Sequence, residues 1–231
     1  AERETHEGVL TFFIAGTLWT MAHEYPDRVA RLLSQLLERE WATLDEAERA
    51  GRDRDAEVSA NLMAFLFVTR DCPEAWDWID RWAGDLRRGE AYLTPLLHNL
   101  RQVFFFPYRE SPRTDEQEMA LRARRLLDRV IAAAAAAEAE ARPHLLGSPD
   151  VETVARWRPL FVAADRVVDQ VCNQLYFGCG AFRSSSDNDS LGLPTTESKR
   201  RFIADYGPVL DILGAHAHAH TVHNLVELYG F

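Results

Sequence analysis

Lysine is almost missing from this chain. Of 26 Lys and Arg residues only Lys199 is a lysine, a bias that reads as arginine-rich codon usage of a bacterial type. Cysteine is scarce as well: Cys72, Cys172 and Cys179 make an odd count without C-x-x-C spacing. That excludes a disulfide framework or a zinc ribbon and fits reduced, buried thiols. No run of about 18 uncharged apolar residues exists, so nothing is expected to span a bilayer. Phe12-Phe13-Ile14-Ala15-Gly16 is too short and follows charges of mixed sign, which is not a signal-peptide layout. No phosphate-binding glycine motif, nucleophile elbow or dinucleotide fingerprint is present. An initiator Met is missing too, so a chain opening Ala1-Glu2-Arg3 is expected to be either processed or, as the preferred reading, a piece of a longer polypeptide. The formal charge of -10 argues against a nucleic-acid partner, since phosphate binding rests on Lys and Arg releasing counterions. A cytoplasmic protein without membrane contact is the expectation.

Apolar residues at helical spacing are abundant. From about Thr5 to His23 they cover a wide face; after Tyr25-Pro26, Val29, Leu32, Leu33, Leu36 and Leu37 follow the i, i+3, i+4, i+7, i+8 pattern. Pro26 suits a first helical position, where its missing N–H would have no partner anyway. The charged stretch Asp45 to Asp55 reads as a solvated short helix or loop joining two units. The pattern restarts at Val58 and passes through Leu62, Phe65 and Leu66 to Cys72-Pro73. Beyond Pro73 it continues with Trp76, Ile79, Trp82 and Leu86. A third pair runs from Tyr92 to Phe106 and from Met119 to Ala141, with Pro112 in its turn. Pro26, Pro73 and Pro112 are spaced 47 and 39 residues apart.

Two-helix units at this period resemble a HEAT or armadillo α-solenoid over about residues 5–142. The resemblance lies in period and hydrophobic pattern. It implies an all-α fold of antiparallel helix pairs, stacked as a HEAT-like solenoid or as an irregular helical bundle, and a role in binding rather than catalysis. Residues 1–147 form the repeat region and 148–231 a C-terminal helical region, with a flexible polar linker near 183–194.

Local signals refine the elements. Thr114 with Gln117 has capping-box spacing, and the alanines 132–137 extend that helix to a stop before Pro143. Ser148-Pro149 opens the next helix, which Pro159 is expected to kink or interrupt. Thr195 or Thr196 starts a helix to about Tyr206, and Gly207-Pro208 turns the chain into a last helix from Val209 to Leu228.

Two groups carry candidate function. Trp76 and Trp78 are two apart on one short helix and cannot face the same way, so one must be exposed or covered by a neighbour. Phe104-Phe105-Phe106-Pro107-Tyr108 likewise cannot enter one core together. A protein-binding face carrying Trp78, Phe105, Tyr108 and Arg109 is therefore expected, because aromatics and arginine dominate interface hot spots. Its partner would be another protein or other domains of the same polypeptide. The alternative is an all-helical metal protein or enzyme: His216, His220 and His223 share a helix face at i, i+4 and i+7 and could chelate zinc or nickel. Against it stands the plain role of surface histidines near a helix C-terminus.

Other patterns fall short. His6-Glu7 and His23-Glu24 have no second histidine at zinc-motif distance. Asp187-Asn188-Asp189-Ser190-Leu191-Gly192 begins like a calcium loop, but Leu191 stands where an oxygen ligand is required and Ser198 where the bidentate Glu is required. Cys172 and Cys179 would lie about 10 Å apart along a helix, too far for a disulfide.

Overall fold

The computed structural model describes Met21 and residues 24–49, 72–109, 111–178 and 196–216. All regular structure among them is helical, as expected. The elements are α1 (Pro26–Arg49), α2 (Pro73–Gly84), α3 (Leu86–Asn99), a 3₁₀ segment (Val103–Tyr108), α4 (Thr114–Leu145), α5 (Val151–Gly178) and α6 (Thr196–His216). Among the described residues no helix is long and apolar enough to cross a membrane.

The prolines at 26 and 73 start helices as anticipated. The Tyr25 carbonyl accepts from the N–H groups of Arg28 and Val29, and the Cys72 carbonyl from those of Ala75 and Trp76. On α1, Val29, Leu33, Leu37 and Trp41 are buried. Leu32 and Leu36, expected on the same face, stay 45% exposed. At about 100° per residue they fall outside the arc that meets α2. The helix runs to Arg49, into the stretch expected as a solvated short helix or loop.

The corner between α2 and α3 is a single residue, Asp85, whose N–H returns to the Arg81 carbonyl at 3.2 Å. So short a turn presses the two backbones together, and Gly89 is the residue that permits it. A Cβ there would sit 2.1 Å from the Trp82 carbonyl oxygen. This corner places the start of α3 at Leu86, six residues ahead of the expected Tyr92.

Further boundaries shift from expectation for identifiable reasons. At the start of α4, Glu116 rather than Gln117 closes the cap, its carboxylate accepting the Arg113 N–H at 3.0 Å. The fifth helix begins on Asp150 instead of Ser148, because the Asp150 carboxylate takes the Thr153 N–H at 2.7 Å. That bond holds the Asp150 carboxyl below its ordinary range. Pro143, Pro159 and Pro208 lie inside α4, α5 and α6. Each removes one N–H, and the residues four before them, Ala139, Ala155 and Ala204, are exposed, where a carbonyl can turn to water. The stop before Pro143 and the turn at Gly207-Pro208 are thus corrected to continuous helices. In α4 the last turn is held further by His144, stacked on Trp157 of α5 with ring centroids 4.0 Å apart.

One apolar core runs from Val29 to Leu213. The long α4 and α5 form a hairpin along it, α3 lies on α5, and α4 also touches α2, α3, the 3₁₀ segment and α6. The expected boundary near residue 147 falls at the tip of this hairpin, and side chains from both sides of it share the core. The helices therefore pack against each other around α4 as a hub.

Candidate interaction surface

The parity of Trp76 and Trp78 is resolved by what each helix face meets. Trp78 points to α1: it is 4% exposed, its indole N–H donates to Ser34 Oγ at 3.3 Å, and its ring meets Trp41 edge-on at 6.4 Å. Trp82, fully buried one turn on, stacks against Tyr92 at 4.9 Å. Arg81 lies over the Trp78 ring at 4.8 Å and pairs with Glu38 at 2.7 Å. Trp78 is thus core, not surface.

Trp76 faces the other way, toward α4, and is partly exposed. Arg125 and Arg129, one turn apart on α4, stand over its ring at 5.0 and 4.6 Å. Arg129 in turn binds both oxygens of Asp80, at 2.6 and 2.8 Å. Pro73, Trp76, Asp77, Asp80, Arg125 and Arg129 line an open groove of about 440 Å³. Its α2 wall carries two carboxylates and its α4 wall two guanidinium groups. Guanidinium planes stacked on an indole lose little freedom when they take up a further hydrogen bond, which suits them to recognition.

The aromatic run at 104–108 has a different fate. Phe105 and Tyr108, expected on an open face, are 2% and 4% exposed because α6 covers them. Phe202 sits 4.8 Å from the Phe105 ring and meets Tyr108 edge-on at 5.4 Å. The Tyr108 hydroxyl donates to Asp205 Oδ2 at 2.7 Å. Arg124 donates to the Asp205 carbonyl at 2.7 Å and lies 4.3 Å over the Tyr206 ring. Burial, then the bond to Asp205, pushes the Tyr108 phenol above its ordinary value; burial does the same for Tyr206. Arg109 is partly exposed, pairs with Glu116 at 3.1 Å and covers the Phe106 ring at 4.3 Å. The residues expected together on one surface are therefore divided, Trp78 lying beneath α1, Phe105 and Tyr108 beneath α6, and Arg109 against Glu116 at the start of α4.

For the metal alternative, His216 closes α6, while His220 and His223 lie outside the described residues. Among the described residues no group of three or more His, Cys, Asp and Glu side chains is gathered to hold a metal ion. Cys72 and Cys172 are buried thiols outside any disulfide, and burial raises the Cys72 thiol above its ordinary value, away from reactivity. Cys179, the stretch 187–192, the pair His6-Glu7 and His23 lie outside the described residues.

Arg125, Arg129 and Asp80 are the functional candidates that sequence reasoning missed. The i, i+4 spacing of the two arginines was available as a signal. What it lacked was the tertiary contact that sets α4 beside α2. No family model, curated protein or solved structure matches this chain.

Proposed function

We propose that the chain is a protein-interaction or sensing module, an all-helical scaffold without catalysis or a cofactor of its own. It engages a protein partner, or another domain of the same polypeptide, through the Trp76 groove. The observation that carries this reading is a partly exposed tryptophan held beneath two arginines in an open groove. Tryptophan and arginine are the residue types in which binding energy concentrates. The helix pairs at Pro26, Pro73 and Pro112 are, in this proposal, an irregular HEAT-like array whose use is to set α2 beside α4. A cytoplasmic setting accords with the reduced state of Cys72 and Cys172.

The test compares Trp76→Ala with Leu146→Ser, a change at an exposed leucine on the far hairpin tip. Each chain is immobilised and challenged with cell extract, and circular dichroism confirms that it is folded. The proposal expects proteins retained by wild type to fall at least tenfold on Trp76→Ala and to persist on Leu146→Ser. Equal retention on both variants would contradict it.

A further inference from the structure

We infer that the outer face of α1 is a second interaction surface, and that it takes an acidic amphipathic helix of another protein. Leu32 and Leu36 lie one turn apart and are each 45% exposed, and Tyr25 at the helix start is 50% exposed. Arg28 stands one turn before Leu32 and Arg39 three residues after Leu36. The four side chains therefore share one stripe at i, i+4, i+8 and i+11 of the helix. At about 100° per residue, the carboxylates of Asp27 and Glu38 point well away from Leu32. Glu38 is also taken by Arg81, and Glu40, on the core side of the stripe, is half-buried and engaged within the chain. Both arginines are exposed. Arg28 covers the Tyr25 ring at 5.7 Å, and neither Arg28 nor Arg39 is paired with a carboxylate among the described residues. An open leucine pair with a cation at each end thus stands on a chain whose net charge is -10.

The order of these charges decides what the stripe accepts. Arg28 and Arg39 flank the leucine pair almost symmetrically. A second copy laid on the same stripe would set arginine against arginine at both ends, whether the two helices ran parallel or antiparallel, and such like-charge contacts suppress a pairing. The complementary occupant is a helix with a Glu or Asp at each end of two apolar side chains, its carboxylates about eleven residues apart on one face. Outside the described residues, no stretch of this chain has two carboxylates at that spacing. The matching helix therefore comes from another protein. Apolar contact with Leu32, Leu36 and Tyr25 supplies the affinity, and the two arginines supply the choice of sign.

Fluorescence anisotropy of the intact chain tests this, with circular dichroism confirming that each variant is folded. The probe is a labelled alanine-rich helical peptide carrying Glu, Leu, Leu and Glu at i, i+4, i+8 and i+11; its counterpart has Lys at both Glu positions. Wild type is expected to bind the Glu peptide saturably, with a Kd in the high-micromolar range that suits a small interface, and at least fivefold more tightly than the Lys peptide. The overall charge of the chain favours the opposite order, so this preference reports the α1 face. The double variant Arg28→Glu, Arg39→Glu should reverse the preference. Leu36→Ser should weaken the Glu peptide at least fivefold, while Leu146→Ser, at the far hairpin tip, leaves it unchanged. No saturable binding to wild type, as when the chain's own residues cover the stripe, would overturn the inference. So would a preference that survives the double charge reversal, or binding untouched by Leu36→Ser. A wild type that self-associates in sedimentation equilibrium and becomes monomeric on Leu36→Ser would give the stripe to a second copy instead. Trp76→Ala should bind the Glu peptide as wild type does, so this face and the Trp76 groove stand or fall separately.

Discussion

The Tyr108 hydroxyl donates a 2.7 Å hydrogen bond to the carboxylate of Asp205, 97 residues further along the chain. This bond and the Phe202 ring beside it convert an aromatic run that looks like an external binding face into the dock for the chain's own helix α6. Tyr108→Phe should cost about 1 kcal/mol, the exposed Asp205 carboxylate keeping the loss at the low end for a charged partner. A double-mutant cycle with Asp205→Asn, read by urea unfolding, should show coupling between the two changes. Additive effects would mean that the bond contributes nothing in solution.

The same dock gives stability a pH dependence. Tyr108 and Tyr206 hold their protons in the folded chain beyond the ordinary phenol value of 10.0. Above about pH 10 the unfolded chain therefore releases protons that the folded chain keeps. Their contribution is complete below that pH and is lost as pH rises past it. Urea midpoints should drop between about pH 9 and pH 11, and Tyr206→Phe should flatten that drop.

Gly89 carries the α2–α3 corner. Gly89→Ala should destabilise by about 1–3 kcal/mol, because its new methyl would meet the Trp82 backbone, which cannot rotate aside. Gly84→Ala, five residues earlier, meets nothing within 4 Å and should leave stability unchanged or slightly raised. Equal effects in thermal melts would show that the corner is looser than described.

The two tryptophans should separate sharply in stability. Trp78→Ala opens a cavity in the core and should cost about 3–5 kcal/mol. Trp76→Ala removes a partly exposed ring and its arginine contacts, for about 1 kcal/mol. Denaturant unfolding of both variants measures the difference.

How much of this was legible in the sequence depends on the range of the interaction. The helix starts at Pro26 and Pro73 follow from proline's own geometry and were readable. So was the necessity that Trp76 and Trp78 part, which follows from helical period. Which of the two turns outward depends on α1 and α4, and no local pattern carries that. Pro143 and Pro208 misled because a helix survives one lost N–H where the opposing carbonyl lies at its exposed side. The burial of Phe105 and Tyr108 required knowing that Phe202 would return to them.

The central claim is that Trp76, and not Trp78, belongs to the functional surface. Fluorine NMR of protein labelled with 5-fluorotryptophan tests it most directly, with the resonances assigned by single Trp→Phe variants. On addition of the unlabelled cell extract that supplies the retained proteins, the account predicts shifting or broadening at the Trp76 resonance, while those of Trp41, Trp78 and Trp82 stay fixed. A Trp76 resonance that never moves, or movement centred on Trp78, would contradict it.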